Sequence, residues 1–180
     1  VMSQPSIDAV ERIYLAMGCF WGAEEIYWLT AGVTGTSVGY MGGMYPNPSY
    51  EEVCTGRTGH TETVCIDYDP SRISTLEILR VFWEQHDPTQ GMRQGNDVGT
   101  QYRSAIFTTT DAQFELAEAT RDAYRPVLSV RGYGDITTEI APAESFIYYP
   151  AEQYHQRYLE VHPNGYRCHS MTGVPLPALA

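Results

Sequence analysis

The chain has 180 residues and a formal net charge of −11, because 22 acidic residues outnumber 11 basic residues, all of them arginine. A chain of this length is expected to form one domain, residues 1–180, that buries about 70% of its unfolded surface without a metal or a disulfide. The acidic charge disfavours nucleic acid and anionic membrane surfaces as partners, and no segment has the ~20 consecutive apolar residues of a membrane span.

The N-terminus and the cysteines favour a cytoplasmic enzyme. Residues 1–12 include Asp8 and Glu11 and have no apolar core of signal-peptide length. The cysteines at positions 19, 54, 65 and 168 form no C-x-x-C pair and no clustered spacing, so a structural zinc site is not expected. In a reducing compartment, such thiols are more often redox-active or catalytic than disulfide-bonded.

Cys19 lies between a predicted strand and a predicted helix. Apolar residues alternate over 13–17, and after Cys19 they recur at helical spacing, with Glu24 and Glu25 expected in the first turn. Unpaired N–H groups at a helix N-terminus lower a thiol pKa, and the flanking glycines are expected to leave the sulfur accessible. The alternative is a buried cysteine that acts only as a small hydrophobic residue.

The remaining elements do not follow a strict β-α-β order. The predicted strands cover residues 33–40, 61–68, 103–109, 136–141 and 146–149. The predicted helices are a short one from Tyr50, one from a capping box of Ser74 and Glu77, one over 111–124 and one over 151–161. This mixture predicts the α+β class.

Glu62 is a carboxylate on an apolar strand face. It shares this face with Val64, Ile66 and Tyr68, because side chains two residues apart point to the same side. Desolvation raises a carboxyl pKa, so Glu62 can serve as a general acid near neutral pH. The alternative is that Glu62, at the start of the strand, reaches solvent.

A long polar loop covers residues 87–101, a length at which irregular loops are usually functional. Its glycines match neither G-x-G-x-x-G nor a P-loop, which disfavours nucleotide binding. Arg93 and Arg103 are candidate ion-paired braces of this loop, with Asp97 as a possible partner.

Four blocks in chain order resemble A-type peptide methionine sulfoxide reductases. They are Gly18-Cys-Phe-Trp-Gly22, Tyr45-Pro-Asn-Pro-Ser-Tyr50, Gly59-His-Thr-Glu62 and Gly95-Asn-Asp-Val-Gly-Thr-Gln-Tyr102. The resemblance covers nearly the whole chain. It implies a two-layer mixed α/β roll with a central, mostly antiparallel sheet and a coiled C-terminal tail. It also implies reduction of the S epimer of methionine sulfoxide, free or in proteins, which repairs oxidative damage.

The resemblance also implies roles for individual residues. Cys19 matches the nucleophile, Glu62 the acid, and Tyr50 and Tyr102 the donors to the sulfoxide oxygen. This agrees with elementary chemistry, since a sulfoxide sulfur is electrophilic only when its oxygen is polarised or protonated.

Three further positions match substrate contacts. Phe20 and Trp21 resemble the cage around the substrate methyl group, and Asp97 resembles the group that holds the substrate backbone, partly through water. Taken singly, each aromatic residue is more often ordinary core. No cofactor and no metal are expected, and the protein is expected to be a monomer.

Recycling needs a second thiol, because attack leaves a sulfenic acid on Cys19. Cys168 follows the last predicted helix in a turn-rich tail, residues 161–180, which is expected to be flexible enough to reach Cys19; the alternative is an unreactive surface cysteine. Some family members have two recycling cysteines, whereas residues 171–180 contain none. A single Cys19–Cys168 disulfide reduced by thioredoxin is therefore expected, with Cys54 and Cys65 in the core.

Two other functions compete with this interpretation. A cysteine acyl-transfer hydrolase would pair Cys19 with a histidine, and no histidine has a recognisable partner context. A non-catalytic binder of oxidised methionine would not need Cys168 and would show no turnover with a reductant.

Overall fold

The computed structural model of the chain describes residues 10–167 and 170–179. Within these residues the strands are β1 (Glu11–Met17), β2 (Val33–Met41), β3 (Thr61–Tyr68), β4 (Arg93–Gln94), β5 (Asp97–Val98), β6 (Ser104–Thr108), β7 (Glu139–Pro142) and β8 (Tyr149–Pro150). The helices are α1 (Phe20–Trp28), α2 (Tyr50–Cys54), α3 (Thr75–Glu84), α4 (Asp111–Val130) and α5 (Tyr158–Val161). Single 3-10 turns cover Thr100–Tyr102, Ala143–Ser145 and Gln153–His155.

The centre of the fold is a six-stranded sheet in the order β7, β6, β1, β3, β2, β8. Its pairs are antiparallel except β6 with β7, which run parallel. A separate small hairpin joins β4 to β5 inside the long loop. The predicted α+β class with a mostly antiparallel sheet is therefore confirmed.

The two faces of the central sheet pack against two different clusters of buried residues. Ile13 and Leu15 of β1 belong to the main core together with the apolar faces of α1, α3 and α4, whereas Ala16 belongs to a smaller cluster that includes Ala143 and Phe146. This separation follows from the period of two along a strand, which sends neighbouring side chains to opposite faces. The predicted two-layer arrangement is confirmed.

The first helix begins directly after Cys19, as the sequence predicts. Helix α1 starts at Phe20 with Cys19 as its N-cap, but Glu24 and Glu25 are not in the first turn, where the sequence predicts them. Glu24 is instead buried, and its carboxylate accepts from the Thr36 hydroxyl and from the Arg157 N–H. The sequence predicts that the Glu24 carboxylate complements the helix dipole. Its hydrogen bonds instead connect α1 to β2 and to the segment before α5.

The predicted capping box at α3 is incomplete. Ser74 accepts from the Glu77 N–H, but the Glu77 carboxylate pairs with Arg80. The complete capping box lies at α2, where Ser49 accepts from the Glu52 N–H and the Glu52 carboxylate accepts from the Ser49 N–H. These two bonds stabilise a helix of only five residues, which begins with Tyr50.

The C-terminal third differs most from the prediction. Helix α4 continues through Pro126 to Val130, because the carbonyl that loses its N–H partner belongs to solvent-exposed Asp122. The helix predicted over 151–161 is wrong, because Arg157 adopts a left-handed conformation (φ 52°) and leaves only a 3-10 turn and the short α5. The strand predicted over 146–149 is reduced to β8.

Beyond α5 the described chain is coil, as predicted for the C-terminal tail. Val174 and Leu176 are nevertheless buried in the main core. The Tyr124 hydroxyl donates to the Val174 carbonyl (2.7 Å), and the Leu176 N–H donates to Glu84 (2.7 Å). The flexibility of residues 161–180 stays a prediction, and these contacts attach residues 174–176 to α3 and α4. None of the helices in the described part of the chain is long and apolar enough to cross a membrane.

Candidate active site

Cys19 is located by the tight connection between β1 and α1. Gly18 has φ +98°, a conformation that side chains with a Cβ disfavour, and it turns the chain so that Cys19 becomes the N-cap of α1. The backbone N–H groups of Trp21 and Gly22 point to the sulfur. Cys19 is only 7% exposed, so the flanking glycines do not leave the thiol open to solvent as predicted.

Glu62 lies next to the N-terminus of α1. The face assignment from strand parity is confirmed, since Val64, Ile66 and Tyr68 all belong to the main core. Glu62 is 2% exposed, which excludes the solvent-exposed alternative, and its Oε1 accepts from the Phe20 N–H at 3.0 Å. Glu62 therefore bonds the residue next to Cys19, so the carboxyl group and the thiol both lie at the N-terminus of α1.

Burial determines the protonation of both groups. It raises the pKa of Glu62 to about 8, against a smaller opposing effect of the Phe20 N–H bond, so the carboxyl is mostly protonated at neutral pH. Burial also raises the pKa of Cys19, and the negative charge of Glu62 raises it further, while the N–H groups of Trp21 and Gly22 lower it. The predicted lowering of the Cys19 pKa is wrong here, because desolvation of the thiolate outweighs the helix terminus.

A cavity of ≈ 170 Å³ opens beside these two groups. This volume suits one side chain or a small molecule. Its lining residues come from the N-cap and first residues of α1, from α2, β3, β5 and the 3-10 turn after β5, and from the coil after α5: Cys19, Phe20, Trp21, Tyr50, Glu62, Asp97, Tyr102 and Tyr166. The structure thus brings together the seven described residues that the sequence indicates, and adds Tyr166.

Two phenols face the cavity from opposite segments. Tyr50 is the first residue of α2, and Tyr102 ends the 3-10 turn that follows β5. Burial raises the pKa of both hydroxyls, and the charge of Glu62 adds to the effect. Both phenols therefore keep their protons at neutral pH and can donate hydrogen bonds.

Asp97 presents a free acceptor to this cavity. Its Oδ1 accepts from the Tyr166 hydroxyl at 3.2 Å, while its Oδ2 is buried without a hydrogen-bond partner in the described part of the chain. Burial raises the pKa of Asp97. Arg103 is ion-paired, as predicted, but its partner is Glu139, at 3.5 Å, rather than Asp97. The Asp97 Oδ2 can instead accept from an N–H group of a ligand.

The other cysteines have different surroundings. Cys65 is buried on β3, as predicted. Cys54 is exposed, so its predicted core position is wrong: it ends the short helix α2, where its sulfur accepts from the Tyr50 hydroxyl one turn earlier. Cys168 lies outside the described residues.

The described residues around position 168 make firm contacts. Arg167 forms two hydrogen bonds to the Glu25 carboxylate, of 2.7 and 2.6 Å, and the Ser170 N–H donates to the Gln94 side chain at 3.1 Å. With the bond from Tyr166 to Asp97, these contacts hold the residues before position 168 at α1 and at the cavity, whereas Ser170 is attached to β4.

Two residues behind the cavity were not found from the sequence. Glu152 accepts from the Tyr50 N–H and from the Tyr40 hydroxyl. His155 accepts from the Trp21 indole. No periodic pattern marks either residue, because a 3-10 turn has no repeating face and their partners lie more than 100 positions away in the chain.

The arrangement favours attack by sulfur on an electrophile whose oxygen must gain a proton. A thiol, a protonated carboxyl group and two phenols share one small cavity. An acyl-transfer enzyme would need a histidine base, but the ring nitrogens of His60 are bonded to Gly43 and Tyr45, and His155 is bonded to Trp21.

Comparison with known proteins identifies a family and individual proteins that are similar to this chain. A family model for peptide methionine sulfoxide reductase matches residues 11–175. The peptide methionine sulfoxide reductase MsrA of Salinispora arenicola is 56% identical over 178 residues, which cover 98% of this chain and 80% of that protein.

The fold of this chain is also similar to solved structures of known proteins. Methionine sulfoxide reductase A of Corynebacterium diphtheriae superposes with a TM-score of 0.86 at 49% identity, over 98% of this chain and 85% of that chain. Mxr1 from Saccharomyces cerevisiae in complex with Trx2 has a TM-score of 0.59 at 22% identity, over 95% of this chain and 94% of that chain, which shows a shared fold alone.

Proposed function

This chain belongs to the peptide methionine sulfoxide reductase family, and we propose that it reduces the S epimer of methionine sulfoxide with Cys19 as nucleophile and Glu62 as acid. Substrates are the free amino acid and oxidised methionine in proteins. The observation that carries the assignment of residues is the buried pair itself: a protonated carboxyl with a pKa of about 8 and a thiol line one cavity of ≈ 170 Å³.

The chemical step transfers oxygen from substrate to enzyme. Glu62 donates its proton to the sulfoxide oxygen, which makes the sulfur electrophilic. The Cys19 sulfur then bonds to the substrate sulfur, and the thiol proton replaces the one that Glu62 has given up. The hydroxyl group passes from the substrate sulfur to the Cys19 sulfur as the S–S and substrate S–O bonds break, which releases methionine, so thiol plus sulfoxide gives sulfenic acid plus thioether. The substrate binds while Glu62 is protonated, so the Glu62 charge that raises the Cys19 pKa is absent before the proton transfer.

The other cavity residues orient the substrate. Tyr50 and Tyr102, both protonated at neutral pH, donate hydrogen bonds to the sulfoxide oxygen beside Glu62. Phe20 and Trp21 form the apolar wall for the methyl group. The buried Oδ2 of Asp97 accepts from the substrate backbone, directly or through water.

We expect strict selectivity between the two epimers of a methionine sulfoxide peptide. If the methyl group contacts the aromatic wall and the oxygen contacts the phenols, only one epimer can direct its sulfur towards Cys19, and membership of the family implies that this is the S epimer. Incubation of each pure epimer with the protein and dithiothreitol, followed by chromatography of the reduced peptide, measures this selectivity.

Each outcome of that assay is informative. Equal rates on both epimers would refute the proposed orientation. Binding of either epimer without any reduction would identify a non-catalytic binder. Hydrolysis of a thioester, with no reduction of either epimer, would identify an acyl-transfer enzyme.

For recycling, we propose Cys168 as the resolving thiol and thioredoxin as the reductant. The Cys168 thiol condenses with the sulfenic acid of Cys19, which forms a disulfide and releases water. The contacts of Tyr166 and Arg167 near the cavity support this role. The complex of Mxr1 with Trx2 is a property of that protein, and the shared fold extends it to this chain as a proposal. Action as a monomer in the cytoplasm stays a prediction.

Replacing Cys168 by serine is expected to stop cycling but not chemistry. The variant should release one methionine per enzyme and then fail to turn over with thioredoxin, while dithiothreitol restores part of the activity by reducing the sulfenic acid directly. Quantification of methionine in a single-turnover experiment measures the first effect, and a steady-state assay with thioredoxin measures the second.

Peptide mapping identifies the thiol that forms a disulfide with Cys19. After wild-type protein reacts with substrate in the absence of reductant, a Cys19–Cys168 disulfide is expected. A link from Cys19 to Cys54 or Cys65 would show that another thiol resolves the sulfenic acid, and so would full thioredoxin-dependent turnover by the serine variant.

A further inference from the structure

His155 contacts three walls of the cavity without lining it. It ends the 3-10 turn Gln153–His155 and is 1% exposed. Its ring centroid lies 5.2 Å from that of Phe20, 5.9 Å from that of Trp21 and 4.5 Å from that of Tyr50. One imidazole therefore packs behind side chains that come from both α1 and α2.

A hydrogen bond fixes the direction of one of these walls. The Trp21 indole Nε1 donates to His155 Nδ1 at 3.0 Å, and the face of the indole stacks on Tyr158 at 3.8 Å with an interplanar angle of 11°. A stacking contact alone leaves a ring free to slide or rotate in its plane. The added bond at the ring edge removes this freedom.

The same bond determines the tautomer of the histidine. An indole nitrogen can only donate, so Nδ1 must be an unprotonated acceptor and the proton must lie on Nε2. Nε2 is buried without a hydrogen-bond partner in the described part of the chain. A buried donor without a partner destabilises the fold, which indicates that the position of His155 serves the contact with Trp21 rather than local stability.

We propose that His155 is a positioning residue for substrate capture, which holds the Trp21 indole in the orientation that receives the methyl group of methionine sulfoxide. The proposal rests on the proposed function of Trp21 as a wall of the substrate site. His155 acts through Trp21 and does not touch the substrate. Its loss would leave the indole N–H without an acceptor and the aromatic wall free to reorient, which weakens binding before the chemical step.

Two substitutions at position 155 separate the acceptor from the bulk of the ring. His155→Leu keeps an apolar side chain but removes the acceptor, and His155→Asn places an amide oxygen close to the position of Nδ1. In a dithiothreitol-driven assay with the S-epimer peptide, His155→Leu is expected to raise KM by about 5- to 150-fold, the range expected for one unsatisfied buried donor, and to leave kcat nearly unchanged. His155→Asn is expected to restore most of the wild-type KM.

A double-mutant cycle tests whether His155 affects substrate binding through Trp21. Trp21→Phe keeps an aromatic wall but has no N–H group to donate. In that background His155→Leu should add no further rise in KM, whereas a general structural role of His155 would make the two effects additive. His86→Leu is the matched control: His86 is equally buried, bonds Phe82 and Ser104 outside the cavity, and its loss should lower the melting temperature without changing KM.

Three results would overturn the proposal: equal KM values for the Leu and Asn variants, additive effects in the cycle, or a fall in kcat at constant KM. If His155→Leu does not fold, His155→Gln replaces it, because its amide extends to the position of Nε2 and misplaces the acceptor. Failure of the proposed function would look different, since the wild-type protein would then reduce neither epimer.

Discussion

Cys19→Ser is expected to abolish the reduction of methionine sulfoxide, down to the rate measured without enzyme. A serine hydroxyl has nearly the size of the thiol, but it is a much harder and less acidic nucleophile and cannot form a sulfenic acid. The measurement is methionine released per enzyme, in single turnover and at steady state.

Matched controls exist in the same chain. Cys54→Ser changes an exposed thiol and Cys65→Ser a buried one, and neither residue lines the cavity. Both variants should retain turnover, and circular dichroism should show a folded Cys19→Ser protein. If the Cys19→Ser variant were active well above the rate without enzyme, another thiol would have to be the nucleophile.

The second large effect is expected for Glu62→Gln. The amide keeps the shape of the carboxyl group but cannot donate the required proton, so kcat should fall by about 10²–10⁴-fold, the range typical of a lost general acid. The wild-type rate should fall as the pH rises through about 8, because Glu62 then loses the proton that it must donate. The residual rate of the Gln variant should lack this decrease.

Stability provides an independent readout of the same group. The folded state raises the Glu62 pKa from its ordinary 4.5 to about 8, so within this range the native state binds more protons than the unfolded state. The free energy of unfolding therefore decreases as pH rises through this range, and the contribution of Glu62 is fully present only below its ordinary pKa.

Glu62→Gln removes this pH dependence, so the variant should be more stable than the wild type above pH 8. A variant that is both slow and stable would separate loss of the acid from loss of the fold. A Gln variant with a normal rate and an unchanged pH profile would contradict the acid role.

Local patterns in the chain account for the sheet and for the central pair of residues. Strand parity alone assigns Glu62 to the apolar face, because the period of two is a property of the backbone that tertiary contacts cannot change. The strand-to-helix transition at Cys19 is equally local. Where the pattern is weak, as over 146–161, the predictions fail, since those residues follow no period and take their conformation from partners distant in sequence.

The sequence by itself thus determined the α+β class and the family resemblance, which implies the mostly antiparallel sheet and names the cavity residues. Only the tertiary structure decided how these residues are protonated, because the pKa values of Glu62 and Cys19 depend on burial by other segments. It alone also revealed Tyr166 and His155, whose contacts with Asp97 and Trp21 connect positions 69 and 134 residues apart. Such contacts have no local signature, since they form only when the sheet and its helices bring distant segments of the chain together.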